Sequence, residues 1–210
     1  MCRLNIQPEW QQRLAALGLD SWQALLEIDF DQHERGSRGC YSHCFDLDQH
    51  TTLCLKHEQK RSFGRILCEL LCLKLPQRCS RRERLNIKML AADGFSVPDV
   101  VAWGEKRILG LPRAGLLLLR PPSMLTLPAF LAAEFDSQAR HDMVEKAENL
   151  LRLLQERGYH WPDCQAENFL VLPNLELGLC NLESLQRCKT PNPELCQRQF
   201  EKFYASLCGD

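Results

Sequence analysis

The sequence predicts an α+β fold of two lobes: a small β-rich lobe with a helix over residues 1–120, and a mainly helical lobe over residues 121–210. Three observations favour this division. β-prone runs concentrate before residue 120, the Pro121–Pro122 pair breaks the chain, and a long amphipathic stretch follows at Ser137–Arg157.

The composition is that of an ordinary folded domain. Of the 210 residues, 26 are Lys or Arg and 27 are Asp or Glu, and this net charge of −1 argues against a dedicated nucleic-acid binder. No apolar stretch reaches the roughly 18 to 20 residues of a membrane span, and the N-terminus lacks a signal-peptide core. The 12 Cys therefore predict reduced thiols without disulfide bridges, and the absence of a CxxC pair argues against a cysteine metal site.

The N-terminal lobe is predicted to begin with two short amphipathic helices, Pro8–Leu17 and Ser21–Ile28, the second with Ser as its N-cap. Tyr41–Leu47 and Thr51–Lys56 are β-prone runs on either side of the polar turn Asp48–His50. This pattern is typical of a β-hairpin, and a lysine ends its second strand.

Two helices and two strands complete this lobe. Gly64–Leu75 carries apolar residues at helical spacing and is followed by Pro76. The next helix is predicted from near Ser80 to a glycine C-cap at Gly94. Strands are predicted at Val97–Trp103 and Leu116–Leu119.

The C-terminal lobe is predicted to contain helices at Leu127–Glu134 and Ser137–Arg157. Two short apolar strands follow, at Phe169–Leu172 and Leu175–Cys180. Aromatic residues at helical spacing predict a last helix within Cys188–Asp210.

A polar loop after the long helix carries Asp163 and, five positions later, Asn168. In kinases, the Asp of such a loop orients or deprotonates an attacking hydroxyl, and the Asn binds magnesium on the phosphates of ATP. A strand-end lysine, a chain break, a long helix and then this loop follow the order of a bilobal kinase. The sequence therefore predicts a protein-kinase-like fold.

The charge is concentrated in one segment, which we call the basic patch. Residues 56–88 contain ten basic and three acidic residues, and thus carry +7 in a chain whose net charge is −1. Such a patch attracts an anionic ligand, a phosphorylated sugar or a membrane surface, although a solvated helix face gives the same pattern. The residues expected to draw an anionic substrate are Lys60, Arg61, Arg65, Arg78, Arg81 and Arg82.

Between about Phe30 and Gln186 the chain resembles the WaaP/Kdo family of lipopolysaccharide kinases, including its InaA-like branch. The block LCLKLPQRCSRRERLNIKMLAADGFSVPDVVAWGE resembles the segment that these kinases place between their lysine strand and their hinge. PDCQAENFLV resembles their catalytic loop, and LGLCNLESLQ lies where the family carries a metal-binding Asp. The resemblance implies a protein-kinase-like fold and phosphate transfer from ATP.

The resemblance also gives individual residues their expected roles. Lys56 matches the strand lysine that holds the α and β phosphates of ATP, and Glu83 matches its helix partner. Asp163 matches the catalytic carboxylate, and Asn168 matches a magnesium ligand.

Further contacts with ATP are expected from backbone groups. The backbone near Leu119 and Arg120 matches the hinge that contacts adenine. Gly36 and Gly39 are expected to cover the phosphates through backbone N–H groups, although the full glycine fingerprint is absent.

The chain departs from the family pattern at two places. Asn181 stands where the family has its metal-binding Asp, and an amide holds a divalent cation more weakly than a carboxylate does. Glu183 is the expected compensating ligand, because alternation in an extended segment points both side chains the same way. In the catalytic loop, His160 stands three positions before Asp163 with Trp161 and Pro162 between, and we expect this histidine to be structural rather than a base.

Taken singly, the site residues have structural explanations. Lys56 fits a solvated strand end, and Glu83 fits an ordinary charged helix start. Asp163 and Asn168 fit turn caps. Their joint order and spacing favour the kinase interpretation.

The leading interpretation is an ATP-dependent kinase that phosphorylates a sugar hydroxyl, on heptose or Kdo, of the lipopolysaccharide inner core, with ATP and Mg²⁺ as cofactors. We expect a cytoplasmic protein that contacts the cytosolic face of the inner membrane through the basic patch, with no nucleic-acid partner and no protein partner. The alternatives are a catalytically weak pseudokinase or stress-linked binding protein, supported by Asn181, and a kinase acting on protein or on a small aminoglycoside-like molecule.

Overall fold

A computed structural model describes residues 2–28, 34–35, 40–58, 79–108, 111–188 and 192–207. The chain divides into two compact units. The first contains Met1–Leu85 and Asp99–Arg120, and the second contains Asn86–Pro98 and Pro121–Asp210. The mixture of a sheet and separate helices confirms the predicted α+β class.

The first unit is built on an antiparallel sheet of six strands. In chain order these are β1 (Cys2–Ile6), β2 (Glu34–Arg35), β3 (Cys40–Asp48), β4 (Thr51–Glu58), β5 (Asp99–Ile108) and β6 (Leu111–Arg120). Their spatial order is β1-β5-β6-β4-β3-β2. The predicted hairpin is confirmed by the pairing of β3 with β4, and the two later predicted strands extend into the longer pair β5–β6.

Strand β1 was not predicted. It pairs with β5 from Cys2 opposite Lys106 to Ile6 opposite Ala102. A five-residue run has too little local pattern to identify a strand, and this strand depends on the ladder that β5 provides.

One face of the sheet packs against two short helices, α1 (Pro8–Ala16) and α2 (Trp22–Leu26). The predicted N-cap of α2 is confirmed, because the Ser21 hydroxyl accepts a hydrogen bond from the Ala24 N–H at 3.1 Å. These elements share a buried apolar core, which consists of Trp10, Leu14, Leu25, Leu53, Leu55, Val101, Ala102, Leu116 and Leu118.

The other face of β4 carries buried charged residues. Leu53 and Leu55 belong to the apolar core, whereas Lys56 and Glu58 are buried on the opposite side of the strand. Helix α3 (Cys79–Ala92) begins against that side. Oε1 of Glu58 accepts hydrogen bonds from the Ser80 N–H at 2.8 Å and from the Ser80 hydroxyl at 2.9 Å, so β4 fixes the start of the helix.

The expectation of no disulfide bridge is wrong. Cys44 and Cys54 form a disulfide that links β3 to β4. The two residues are direct register partners in the hairpin, with their Cα atoms 4.0 Å apart. Antiparallel pairing brings them together although ten positions separate them in the chain.

The second unit contains the helices α4 (Leu127–Ala133), α5 (Ser137–Glu156) and α6 (Pro193–Leu207). Two short strand pairs lie between α5 and α6: β7 (Tyr159–His160) with β10 (Gln186–Arg187), and β8 (Phe169–Val171) with β9 (Leu177–Leu179). The three predicted helices and the two apolar strands are thereby confirmed. The buried side chains of α5 are Met143, Ala147, Leu151 and Leu154.

Some sequence-based expectations lie outside the described residues. The predicted helix Gly64–Leu75 is one of them. So is most of the basic patch, including Lys60, Arg61, Arg65 and Arg78. Within the described ranges, no helix is both long enough and apolar enough to cross a bilayer.

We expect Gly115→Ala to destabilise the first unit. A Cβ at this position would lie 2.2 Å from the Ser80 hydroxyl and 3.1 Å from Glu58 Oε1. Since Ser80 is buried and bonded to that carboxylate, its side chain cannot move without losing the bond. The free energy of unfolding should fall by about 1–3 kcal/mol in chemical denaturation.

The matched control is the same substitution in a Ser80→Ala background, where the clashing oxygen is absent. There the cost of the added methyl group should be clearly smaller. An equal loss in the free energy of unfolding in the two backgrounds would show that the contact with the Ser80 hydroxyl does not cause the destabilisation.

Candidate active site

The first unit contains a buried ion pair between two predicted site residues. Nζ of Lys56, on β4, lies 2.6 Å from Oε1 of Glu83, on α3. The two side chains are only 10% and 2% exposed. The interpretation of Lys56 as a solvated strand end is therefore wrong. A buried charge of this kind is tolerated because its partner is held in place.

Strand and helix geometry place this pair. Lys56 is central in the sheet, opposite Ser42 of β3 on one side and Leu117 of β6 on the other. Glu83 lies one turn beyond Ser80, which Glu58 anchors. Sequence analysis missed Glu58, although its position two residues after Lys56 places both side chains on the same face of β4.

The predicted hinge residues end the last strand of this unit. Leu119 is buried in β6 and faces Val100 and Cys54 in the neighbouring strands. Arg120 forms an ion pair with Asp99. Gly36 and Gly39 lie outside the described residues.

The second unit brings together the predicted catalytic-loop residues. Asp163 lies in a turn, and 51% of its side chain is exposed. Asn168 ends a 3₁₀ turn, Ala166–Asn168, and is 5% exposed. Its side-chain amide donates to the Asp163 carbonyl at 3.1 Å. The Asn168 amide therefore closes the loop through the backbone of Asp163, and the Asp163 carboxylate stays exposed to solvent.

Asn181 adjoins Asn168. Its Nδ2 donates to Oδ1 of Asn168 at 3.1 Å. Asn181 has a left-handed backbone, with φ 57° and ψ 48°, and is followed by the 3₁₀ turn Leu182–Ser184. The argument that an extended segment aligns Glu183 with Asn181 is wrong, because this segment turns instead.

As arranged, the Asn168 and Asn181 pair fits a divalent cation poorly. The oxygen of Asn168 that would coordinate a metal accepts a hydrogen bond from Asn181, and neither side chain carries charge. Mg²⁺ prefers carboxylate and phosphate oxygens. Among the residues that the structure describes, no group of three His, Cys, Asp or Glu side chains is placed to hold a metal.

Packed aromatic side chains support the loop. Trp161 is fully buried, and its ring centroid lies 5.9 Å from that of Phe169. Phe169 in turn packs edge-on against Phe203 of α6 at 5.2 Å. His160 lies in β7 opposite Gln186. Burial raises the pKa of the neighbouring Cys164 thiol, which excludes a reactive thiolate at neutral pH.

A tyrosine ties the strand before the loop to the segment after α3. The Tyr159 hydroxyl donates to Oδ2 of Asp93 at 2.5 Å. Burial and then this carboxylate raise the pKa of Tyr159 to about 12, so the phenol remains a neutral donor at physiological pH. Arg157 also donates, to the Asp93 carbonyl.

Sequence analysis also missed Lys202. This residue of α6 donates to the Pro162 carbonyl, and its Nζ lies 3.6 Å from Oδ1 of Asp163. No local signal distinguishes it from the other charged residues of an amphipathic helix. Only the packing of α6 against the loop brings it to the carboxylate.

The buried lysine–glutamate pair and the Asp-to-Asn loop are features of the protein-kinase-like fold, and the solved structures that resemble this chain confirm that fold. Residues 30–206 match the model of the lipopolysaccharide kinase (Kdo/WaaP) family. The chain belongs to this family. No curated protein sequence gives a significant match.

Two solved proteins illustrate the structural likeness. WaaP, in complex with acyl carrier protein, matches with a TM-score of 0.69 at 14% identity, over 99% of this chain and 82% of that one. Monomeric WbdD matches with a TM-score of 0.52 at 18% identity, over 86% of this chain and 42% of that one. Another WbdD structure, described as that of a bifunctional kinase-methyltransferase, matches with a TM-score of 0.53 at 19% identity, over 82% of this chain and 38% of that one. These likenesses concern the fold.

We expect Glu83→Ala to destabilise the protein by about 3–5 kcal/mol, because it leaves the Lys56 ammonium buried without this carboxylate. Chemical denaturation measures the loss. The double variant K56M/E83L, which removes both charges, should lie much closer to the wild type.

Glu176→Ala is the matched control, because the ion pair of Glu176 with Lys146 is long, at 4.0 Å, and exposed. Its effect should stay within about 0.5 kcal/mol. A Glu83→Ala variant as stable as this control would contradict the importance of the buried pair.

Proposed function

We propose that this protein is an ATP-dependent kinase that phosphorylates a sugar hydroxyl, on heptose or Kdo, of the lipopolysaccharide inner core. Membership of the Kdo/WaaP family supports a kinase of lipopolysaccharide. The single observation that carries the proposal is the 2.6 Å ion pair of Lys56 and Glu83, because a buried lysine held by a carboxylate is the group that kinases direct at the phosphates of ATP.

Lys56 and Glu83 act on the nucleotide in this proposal. Glu83 holds the ammonium in one orientation, and the protonated Lys56 neutralises charge on the α and β phosphates. Burial strengthens the attraction, because few water molecules screen it. The lysine therefore orients the triphosphate for attack at the γ-phosphorus.

Asp163 acts on the acceptor. Its exposed carboxylate accepts the hydrogen of the sugar hydroxyl while the hydroxyl oxygen forms a bond to the γ-phosphorus. The bond from that phosphorus to the β–γ bridging oxygen breaks, and ADP leaves. Asn168, through its bond to the Asp163 carbonyl, keeps the loop in the conformation that exposes the carboxylate.

Magnesium stays a proposed cofactor, and the ligands proposed from the sequence are Asn168, Asn181 and Glu183. As arranged, the two amides fit a cation poorly. A bound cation would neutralise the phosphates in this kind of reaction. Because the two amides are bonded to each other, we derive no step through the metal.

The proposed acceptor is anionic and membrane-bound, which agrees with a basic patch in a chain of net charge −1. We propose a cytoplasmic protein that contacts the cytosolic face of the inner membrane through residues 56–88. Of the patch residues expected to draw the substrate, Arg81 and Arg82 lie at the start of α3 in the described structure.

One relative bears on protein partners. The WaaP structure that resembles this chain contains acyl carrier protein, which weighs against the sequence-based expectation of no protein partner. We therefore include a carrier protein among the ligands proposed for this chain.

The second candidate function is a pseudokinase that has lost efficient catalysis. The hydrogen bond from Asn181 to Asn168 favours it, because it places a neutral donor where a cation needs a charged ligand. This candidate shares the fold and nucleotide binding but not phosphate transfer.

The kinase proposal is tested by transfer of labelled phosphate from ATP to extracted lipopolysaccharide core. We expect Asp163→Asn to reduce turnover at least about 100-fold, because it removes the group that accepts the hydroxyl proton. ATP binding, measured by calorimetry, should remain close to that of the wild type.

Glu167→Gln is the matched control, because this residue is an exposed carboxylate in the same loop. Its turnover should remain close to the wild-type rate. Unchanged turnover in Asp163→Asn would remove Asp163 from the mechanism, and no transfer by the wild type would favour the pseudokinase.

We expect Asn181→Asp to strengthen the magnesium dependence of ATP binding. The left-handed backbone at this position accepts Asp, and the carboxylate supplies the missing negative charge. Calorimetric titration of ATP at several magnesium concentrations measures the effect.

The affinity gain on adding magnesium should be about tenfold larger in Asn181→Asp than in the wild type, roughly 1.4 kcal/mol. An equal gain in both proteins would show that position 181 does not contact the metal. The isosteric control is Asn174→Asp, in an exposed turn, and it should leave the gain unchanged.

A further inference from the structure

Lys202 approaches the proposed catalytic carboxylate from outside the loop. Its Nζ donates to the Pro162 carbonyl and lies 3.6 Å from Oδ1 of Asp163. The two side chains are 54% and 51% exposed. A lysine from the last helix thus contacts both the residue before Asp163 and the carboxylate itself.

The position of Lys202 is fixed by the packing of its helix. Phe203, the next residue of α6, is fully buried against Phe169. One turn later, the Ser206 hydroxyl accepts a hydrogen bond from the Ala166 N–H at 2.7 Å. These contacts hold α6 on the segment that follows Asp163, so the lysine is brought there by the fold.

Stability gives little reason for this placement. An ion pair with both side chains half exposed contributes at most about 1 kcal/mol. For the proposed reaction, however, the positive charge of Lys202 matters more than the stability that this ion pair adds. From Tyr159 to Leu179, which covers the loop and the strands on either side of it, the chain contains no Lys or Arg, so Lys202 of α6 supplies positive charge next to Asp163.

We propose that Lys202 is a positioning residue for Asp163. By engaging Oδ1, the ammonium fixes the orientation of the carboxylate that accepts the hydrogen of the hydroxyl. The tether to the Pro162 carbonyl keeps the ammonium from moving into solvent. This inference rests on the proposed kinase function and assigns the C-terminal helix a part in it.

The test compares Lys202→Met with Lys202→Arg in the phosphate-transfer assay. We expect Lys202→Met to lower kcat by about tenfold, which is less than the roughly 100-fold or more lost when the group that itself accepts the proton is removed. KM for ATP should change by less than about twofold, because the inferred contact acts on the acceptor side. Lys202→Arg, which keeps the charge, should recover most of the rate.

Lys146→Met is the matched control. Lys146 also donates to a backbone carbonyl, that of Leu175 at 2.8 Å, and lies 4.0 Å from a carboxylate, that of Glu176. Its side chain is similarly exposed, at 44%. This variant should keep the wild-type kcat, and thermal melting of both methionine variants should give similar midpoints.

The possible outcomes distinguish the role of Lys202 from the proposed kinase function. A Lys202→Met variant with wild-type kcat, or one that Lys202→Arg does not rescue, overturns the role of Lys202 and leaves the kinase proposal standing. A loss of kcat matched by a large fall in melting temperature would show a structural role instead. No transfer by the wild-type protein overturns the proposed function, and the inference falls with it.

Discussion

The ion pair between Lys56 and Glu83 is the interaction on which the first unit depends. An ammonium buried in a sheet requires a carboxylate partner, and the surrounding structure supplies one. β4 directs its leucines into the apolar core and its charged residues to the opposite face, where α3 begins. Glu58 anchors the start of that helix. Because Gly115 has no side chain, Ser80 at the start of that helix can lie close to strand β6.

The second unit meets a different requirement: it keeps the Asp163 carboxylate exposed to solvent while it holds the surrounding loop in one conformation. Aromatic packing beneath the loop and the amide of Asn168 fix the backbone around Asp163. Oδ1 of the same amide accepts a hydrogen bond from Asn181, the residue that the family resemblance aligns with a metal-binding Asp. The loop is thus held in one conformation, whereas the paired amides, as arranged, would hold a cation weakly. This combination is why catalysis and nucleotide binding must be measured separately.

The features that sequence predicted were those with a local signal. Helical spacing defined α5, two β-prone runs around a polar turn defined the β3–β4 hairpin, and the spacing of Asp163 to Asn168 indicated the loop. The features that it missed depend on contacts between distant parts of the chain. β1 exists through its pairing with β5, and the Cys44–Cys54 disulfide follows from strand register. Likewise, Lys202 reaches Asp163 only through the packing of α6.

The central claim is that Lys56 contacts the phosphates of ATP, rather than serving only as half of a structural ion pair. An acyl-phosphate derivative of ATP tests this directly, because it transfers its acyl group to a lysine amine held next to the phosphates. Mass spectrometry then locates the acylated residue. The account predicts acylation of Lys56 that excess ATP prevents. Labelling that spares Lys56, or that persists unchanged with excess ATP, would contradict it.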